Sequence, residues 1–225
     1  MDSEKLKIKY IFFDFDGVLA ESVDVKTQAF RELYMDYGVM FANKVVEHHK
    51  LNGGVSRYEK IKIYNGDWLK QEVTKELIEK YASRFSDLVV NGVVNSQEVK
   101  GTTEFLEKSG EYKKYIITGT PTKEIIPILK KRNMYDFFDK ACGSPQKKGY
   151  WVNKILNEEN INSINCIFIG DAYADYEAAV NNKITFVLRE TEDGKNVFKN
   201  FKGYRIKDIS ELNNVINKIN NERKI

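Results

Sequence analysis

Tyr10 to Ser22 reads YIFFDFDGVLAES. An aromatic and aliphatic run stops on two acids, Asp14 and Asp16, and Gly17 follows at once. The run from Ile8 to Phe13 has the composition of a buried strand. Residues two apart in extended chain point the same way, so both acids face one site. Tyr115–Ile117, Cys166–Ile169 and Thr185–Leu188 are three further short segments rich in β-branched and aromatic residues. Helical patterns alternate with them. Pro121 to Lys131 places Ile125, Ile128 and Leu129 on one side, with Thr120 as the expected N-cap and Pro121 at the first helical position. Tyr150–Leu156 and Ala174–Val180 continue the alternation. Strands alternating with helices predict an α/β fold built on a parallel sheet covered on both faces.

The stretch between the first strand and the second does not read as sheet. Ala29, Phe30, Leu33, Tyr34 and Tyr37 follow a helical spacing, and Gly38 stands where that helix would end. Ser56-Arg57-Tyr58-Glu59 has the spacing of a capping box ahead of Ile61 and Tyr64. Val73, Leu77, Ile78, Tyr81, Phe85 and Leu88 form another helical stripe. Residues 21–90 therefore read as a helical cap inserted after the first strand, and residues 1–20 and 91–225 as the core domain. The Asn- and Lys-rich tail from Asn213 reads as a frayed terminal helix.

With 225 residues, 42% hydrophobic and 31% charged, the chain has material for one large domain or a core with a smaller one. A formal charge of +3 without a long basic run suggests neither nucleic acid nor a membrane surface as partner. Cys142 and Cys166 are the only cysteines, which is neither a disulfide framework nor a zinc pattern. No apolar run reaches the ~18 residues of a spanning helix, and Met1 to Lys5 leads into no signal-like stretch. A cytoplasmic protein is the expectation.

Ligands of an open parallel sheet bind beyond the carboxyl ends of its strands, where Asp14 and Asp16 lie. IITGTP, Ile116 to Pro121, ends a second strand in a hydroxyl and a glycine just before a helix N-terminus, a setting that favours an anion. GDAYAD, Gly170 to Asp175, ends a third in two more acids. Four carboxylates beside an anion-binding turn call for a cation between them. Oxygen ligands alone point to a hard metal, Mg²⁺ above all, since it keeps few protein ligands and pairs with phosphate.

DFDGV, ITGT, a lysine within GSPQKKG, and GDAYAD, in that order, resemble the four motifs of the haloacid dehalogenase superfamily. The resemblance spans roughly residues 8 to 188, and the helical insert is similar to the cap of the subgroup that includes phosphoglycolate phosphatase and β-phosphoglucomutase. It implies a Rossmann-like core and an aspartyl-phosphate mechanism. Asp14 would be the nucleophile. Asp16 would be the general acid and base, with a raised pKa, and would also lend its backbone carbonyl to the metal. Thr118 and the N–H of Gly119 would hold the phosphoryl oxygens, and a lysine would offset the charge. Asp14, Asp16, Asp171 and Asp175 would form the Mg²⁺ site, Asp175 as ligand or support. Lys147 and Lys148 both fit the third motif, and Lys148, just ahead of the helix near Gly149, fits it better.

The segment Gly54-Val55-Ser56-Arg57 resembles a cap loop of β-phosphoglucomutases, which implies that Arg57 reaches a distal phosphate, helped by Lys60. Mutases also carry a histidine twelve residues past the nucleophile. Here Lys26 stands there, and His48 and His49 read as surface residues of a cap helix. The substitution favours hydrolysis over phosphoryl shuttling. Asp16, Asp171 and Asp175 together argue against dehalogenation. A noncatalytic phospho-ligand binder would be expected to lack Asp14 or Asp16, and both are present. The expectation is a Mg²⁺-dependent phosphatase of a small phosphorylated metabolite, a sugar phosphate or a phosphoglycolate-like ester. A phosphosugar mutase is the alternative. Tyr58, Tyr64 and Trp68 read as cap core. Nothing in the sequence speaks to oligomeric state.

Overall fold

The computed structural model describes residues 6–223, so the opening residues Met1 to Lys5 lie outside it. Six strands form one sheet: β1 (Tyr10–Phe13), β2 (Lys113–Pro121), β3 (Lys140–Ser144), β4 (Cys166–Gly170), β5 (Thr185–Arg189) and β6 (Tyr204–Ile206). Their order is β3-β2-β1-β4-β5-β6, and every pairing is parallel. Phe13 of β1 registers with Ile116 on one side and Ile169 on the other. The chain builds outward from β1 through β2 to β3, then returns to the far side of β1 for β4. The crevice beyond β1, β2 and β4 is thus the point where strand order reverses, the usual binding position of an open α/β sheet.

The period of two along the strands divides the core between the two faces of the sheet. Ile11, Phe13, Ile116, Ile167, Ile169 and Val187 face one side and pack with residues of α5 (Thr102–Lys108), α6 (Thr122–Lys131) and α9 (Leu212–Glu222). Phe12, Tyr115, Ile117, Phe168, Phe186 and Leu188 face the other, against α7 (Lys148–Glu158) and α8 (Tyr173–Asn181). Burial on both faces explains why the central strands are continuous apolar runs. β3 and β6 have no such run. They are the edge strands, KACGS and YRI, and neither is among the strands expected from the sequence. The terminal helix is not frayed through Glu222, because Leu212, Ile216 and Ile219 are buried in the core.

Between β1 and α5 stand four α-helices, α1 (Val23–Leu33), α2 (Val39–Leu51), α3 (Arg57–Lys62) and α4 (Lys75–Asn95), with a π-helical turn, Ile63–Trp68, after α3. Ser56 caps α3 by accepting from Glu59 N at 3.4 Å, and Thr74 caps α4 by accepting from Leu77 N at 3.2 Å. Phe30, Tyr34, Tyr64 and Phe85 are buried at the centre of this bundle. Trp68 packs on Tyr64 and Phe41. The two chain crossings run side by side, with Ala20 bridged to Glu98 and Glu21 N donating to Gln97 O at 2.8 Å.

Candidate active site

Asp14 leaves β1 with its backbone N–H still bonded to Ile169 O, at 3.0 Å, so the sheet itself fixes where its side chain begins. Its Oδ1 accepts from Phe15 N at 2.7 Å, and its Oδ2 lies 2.7 Å from Lys148 Nζ. Lys148 also reaches Asp175 Oδ1 at 2.6 Å, and all three side chains are buried. Lys147, its neighbour, is exposed. Asp175 turns back to accept from Ala172 N at 3.1 Å, which holds it under the start of α8. Asp171 completes the group: one carboxylate oxygen from each of Asp14, Asp171 and Asp175 can be chosen with all three within 4.8 Å of one another.

Three carboxylates with one ammonium leave an excess of two negative charges in a small volume. Burial, with the charges of Asp14 and Asp175, pushes the Asp171 carboxyl well above its ordinary range. Burial likewise raises Asp175, only partly offset by Lys148. Burial opposes the Lys148 ammonium too, but Asp14 and Asp175 outweigh it and hold the proton more tightly than usual. Among the described residues, the Asp171 carboxylate has no hydrogen bond or ion pair of its own. An all-oxygen donor set short of two positive charges, with one ligand unpartnered, fits a hard divalent cation. Gly17 belongs to the same construction. Its φ of +76° suits glycine, and a Cβ there would run into the Asp171 carboxylate.

Asp16 does not share the acid cluster. Its Oδ1 accepts from Ser22 Oγ at 2.7 Å, and its Oδ2 is bonded to Lys26 Nζ and to Thr120 Oγ1, the latter at 3.2 Å. Lys26 also contacts Thr120 Oγ1 at 2.6 Å. Burial would raise the Asp16 pKa, but the Lys26 charge and the bonds from Lys26, Ser22 and Thr120 reverse this and hold it below the ordinary value. The raised pKa expected from the sequence is therefore corrected. Lys26 thus supplies a cation to Asp16 at the position that a mutase histidine would be expected to hold. Thr120 is likewise not a helix cap. It lies in β2, with Pro121 in the position before α6, and its hydroxyl serves Asp16.

Thr118 is buried at the end of β2 and accepts from Thr120 N at 3.2 Å, leaving its own hydroxyl hydrogen free to be donated. Gly119 faces the cap. A Cβ there would stand 2.7 Å from Gly54 O, so only glycine lets the cap loop come this close. Asp14, Asp16, Lys26, Gly119 and Asp171 line one cleft together with the cap residues Phe30, His49, Arg57, Lys60 and Phe85; it encloses about 820 Å³ with the solvent at its mouth. Thr118 and Lys148 line an adjoining cleft that shares Gly54, Val55 and Gly119 with the first.

The cap residues differ from expectation. Arg57 is buried, stacked 4.6 Å from the Phe85 ring centre, and its guanidinium is held by both oxygens of Glu124 at 2.5 and 2.9 Å. Ser86 joins the pair through bonds of 2.6 Å to each partner. Glu124 lies on α6 of the core, and no spacing in the sequence announces it. His49 is not a surface residue. It is buried against Phe30, with ring centres 4.7 Å apart, and its Nδ1 lies 2.8 Å from Lys60 Nζ. His48 is half-buried, with Nδ1 at 3.0 Å from the Tyr64 hydroxyl. Burial, then Lys60 and Lys26, drive the His49 pKa well below the ordinary histidine value, so its ring is neutral. Burial, then Lys26 and Lys148, bring Lys60 down to about 7.

The family model described as haloacid dehalogenase-like hydrolase matches residues 11–188. Among solved structures, a β-phosphoglucomutase from Clostridium difficile aligns with a TM-score of 0.77 at 22% identity, over 96% of this chain and 98% of that one. A protein described as a predicted phosphoglycolate phosphatase from Haemophilus somnus aligns at 0.70 and 18% identity, over 92% and 97%. A hydrolase of this type from Bacillus subtilis, solved bound to magnesium, aligns at 0.64 and 16% identity, over 94% and 99%. No curated protein matches the sequence. At these identities the structural likeness establishes the fold.

Proposed function

The chain belongs to the haloacid dehalogenase-like hydrolases, and from that premise we propose that it is a Mg²⁺-dependent phosphatase acting on a small phosphorylated metabolite. The observation that carries the reading is the division of labour at the end of β1. Asp14 is paired with the Lys148 ammonium, and Asp16, two residues on, is bonded to Lys26, Ser22 and Thr120. Two carboxylates in different surroundings suit two different roles. Asp14, Asp171 and Asp175, with the Asp16 backbone carbonyl, would hold the cation, which when bound offsets the repulsion between an anionic nucleophile and an anionic phosphate.

The residues of the chain do the rest. An Asp14 oxygen attacks phosphorus and the ester P–O bond breaks, leaving an aspartyl-phosphate. Asp16 starts as a carboxylate bonded to Lys26, so the proton it passes to the departing oxygen is drawn from the Lys26 ammonium; in the second half it takes a proton from the attacking water and returns it to Lys26, while the water oxygen forms the new bond to phosphorus as the Asp14 oxygen leaves. Lys148 remains beside Asp14 as the counter-charge, and the Thr118 hydroxyl and Gly119 N–H would be the donors to the phosphoryl oxygens. The Arg57–Glu124 pair ties the cap to the core and favours a closed cleft from which bulk water is excluded.

Lys26 on Asp16, in place of the histidine expected of a mutase, supports hydrolysis over phosphoryl shuttling. Both cysteines are free and buried, and no described helix is long and apolar enough to cross a membrane, which is compatible with the cytoplasm as the place of action. The test is phosphate release from sugar phosphates, phosphoglycolate, nucleotides and an aryl phosphate, with Mg²⁺ or with chelator, using wild type and Asp14→Asn. Release that needs both Mg²⁺ and Asp14 is expected. Silence across the panel from folded, Mg²⁺-loaded protein overturns the reading.

A further inference from the structure

The cations around the cleft are matched to carboxylates almost one for one. Lys26 pairs with Asp16, Lys50 with Asp193 at 3.0 Å, and Arg57 with Glu124. Lys148, at the adjoining wall, pairs with Asp14 and Asp175. Lys60 is the exception. It lines the cleft and is 1% exposed, yet among the described residues it meets no carboxylate. Its partners are His49 Nδ1 at 2.8 Å and His49 O at 3.4 Å. A neutral imidazole that accepts at Nδ1 carries its hydrogen on Nε2. Lys60 and His49 therefore offer an ammonium and a second N–H in one place, walled by the rings of Phe30 and Phe85.

A buried cation without a counter-ion is costly, and keeping one in a ligand cleft makes sense if the ligand brings the anion. Arg57, the residue suited to grip a distal phosphate, is already taken at both ends of its fork by Glu124. What remains is one positive charge and one neutral donor, which matches a singly charged carboxylate better than a phosphate dianion. Resting on the phosphatase reading for the other end of the cleft, we infer that Lys60 and His49 form a carboxylate-binding subsite and that the substrate is a short phosphorylated acid, its phosphate at Asp14 and its carboxylate in the cap.

The test compares 3-phosphoglycerate with glycerol 3-phosphate, which differ by carboxylate against carbinol at one carbon, and adds fructose 1,6-bisphosphate as the second-phosphate arm. Binding to Mg²⁺-loaded Asp14→Asn protein is measured by calorimetry, so that no turnover is required. The acid is expected to bind roughly ten- to a hundredfold more tightly than the carbinol, the range of a charge-assisted hydrogen bond. Lys60→Met should collapse that ratio, Lys60→Arg should keep part of it, and His49→Asn, an independent change, should reduce it. In wild-type kinetics the preference should lie in KM rather than kcat. Equal affinities, no measurable binding of either, a ratio untouched by Lys60→Met and His49→Asn, or a preference for the bisphosphate each overturn the subsite. Phosphate release from an aryl phosphate judges the phosphatase reading separately, since that compound has no carboxylate to place.

Discussion

Lys60 should make the free protein less stable at neutral pH than a Lys60→Met variant, by an amount that shrinks as the pH rises. Burial holds the folded-state pKa near 7 against 10.5 for an ordinary lysine. Between those values the unfolded chain keeps a proton that the folded protein has released, so stability rises with pH through that window. Below about 7 both states hold the proton and the whole penalty is present; above 10.5 it vanishes. Linkage from these two values gives a cost of about 4 kcal/mol at pH ~7 and about 2 kcal/mol at pH ~9. Losing the bond to His49 Nδ1 costs the variant about 1–3 kcal/mol at every pH, because a buried acceptor is left unpaired. The offset shifts both points equally, so the change with pH isolates the lysine. Urea unfolding of metal-free wild type and Lys60→Met should show the stability difference moving by about 2 kcal/mol in favour of wild type between pH ~7 and pH ~9. A flat difference would mean that Lys60 titrates like a solvated lysine, and the reasoning would fall.

Three further outcomes follow from the contacts. Glu124→Ala leaves the Arg57 guanidinium buried and unpaired, so unfolding free energy should drop by about 3–5 kcal/mol in denaturant titration; a drop within error of zero refutes the latch. Lys26→Met strips Asp16 of its cation, and kcat/KM for phosphate release should fall roughly ten- to a hundredfold, the weight of one charge-assisted bond; unchanged kcat/KM would remove Lys26 from the machinery. Gly119→Ala sets a methyl 2.7 Å from Gly54 O, a backbone atom that cannot swing away, so the cap loop must back off. The expected result is faster proteolysis within the Asn52–Val55 loop and a higher KM, and an unaltered digestion pattern would contradict it.

The core was legible because burial on both faces of a sheet writes itself into the sequence as unbroken apolar runs, and four of the six strands have one. β3 and β6 lie at the edges, need only partial burial and leave no run to find. Asp14, Asp16, Asp171 and Asp175 could be read as a group because each follows a recognisable strand by one to five residues. Their pairing could not. Lys148 bridges Asp14 and Asp175 across 134 and 27 positions of chain, and only the parallel order β3-β2-β1-β4 brings the ends of β3, β1 and β4 to one edge of the sheet.

The cap shows the division most sharply. Its helices follow from an apolar period of 3.6 and from the hydroxyls of Ser56 and Thr74, all local signals. Which face of α2 turns inward is not local, and so His49 passes for a surface residue until Phe30 and Lys60 are seen beside it. Arg57 looks free to grip a ligand until Glu124, 67 residues away on the core, takes it. Sequence by itself determined the α/β core, the helical insert and the acids at the strand ends, because burial period and strand-end chemistry are written within a few residues. Which charges cancel, and therefore that Lys60 is left without an anion, was decided only by the tertiary structure, because electrostatic pairing depends on distance in space and not along the chain.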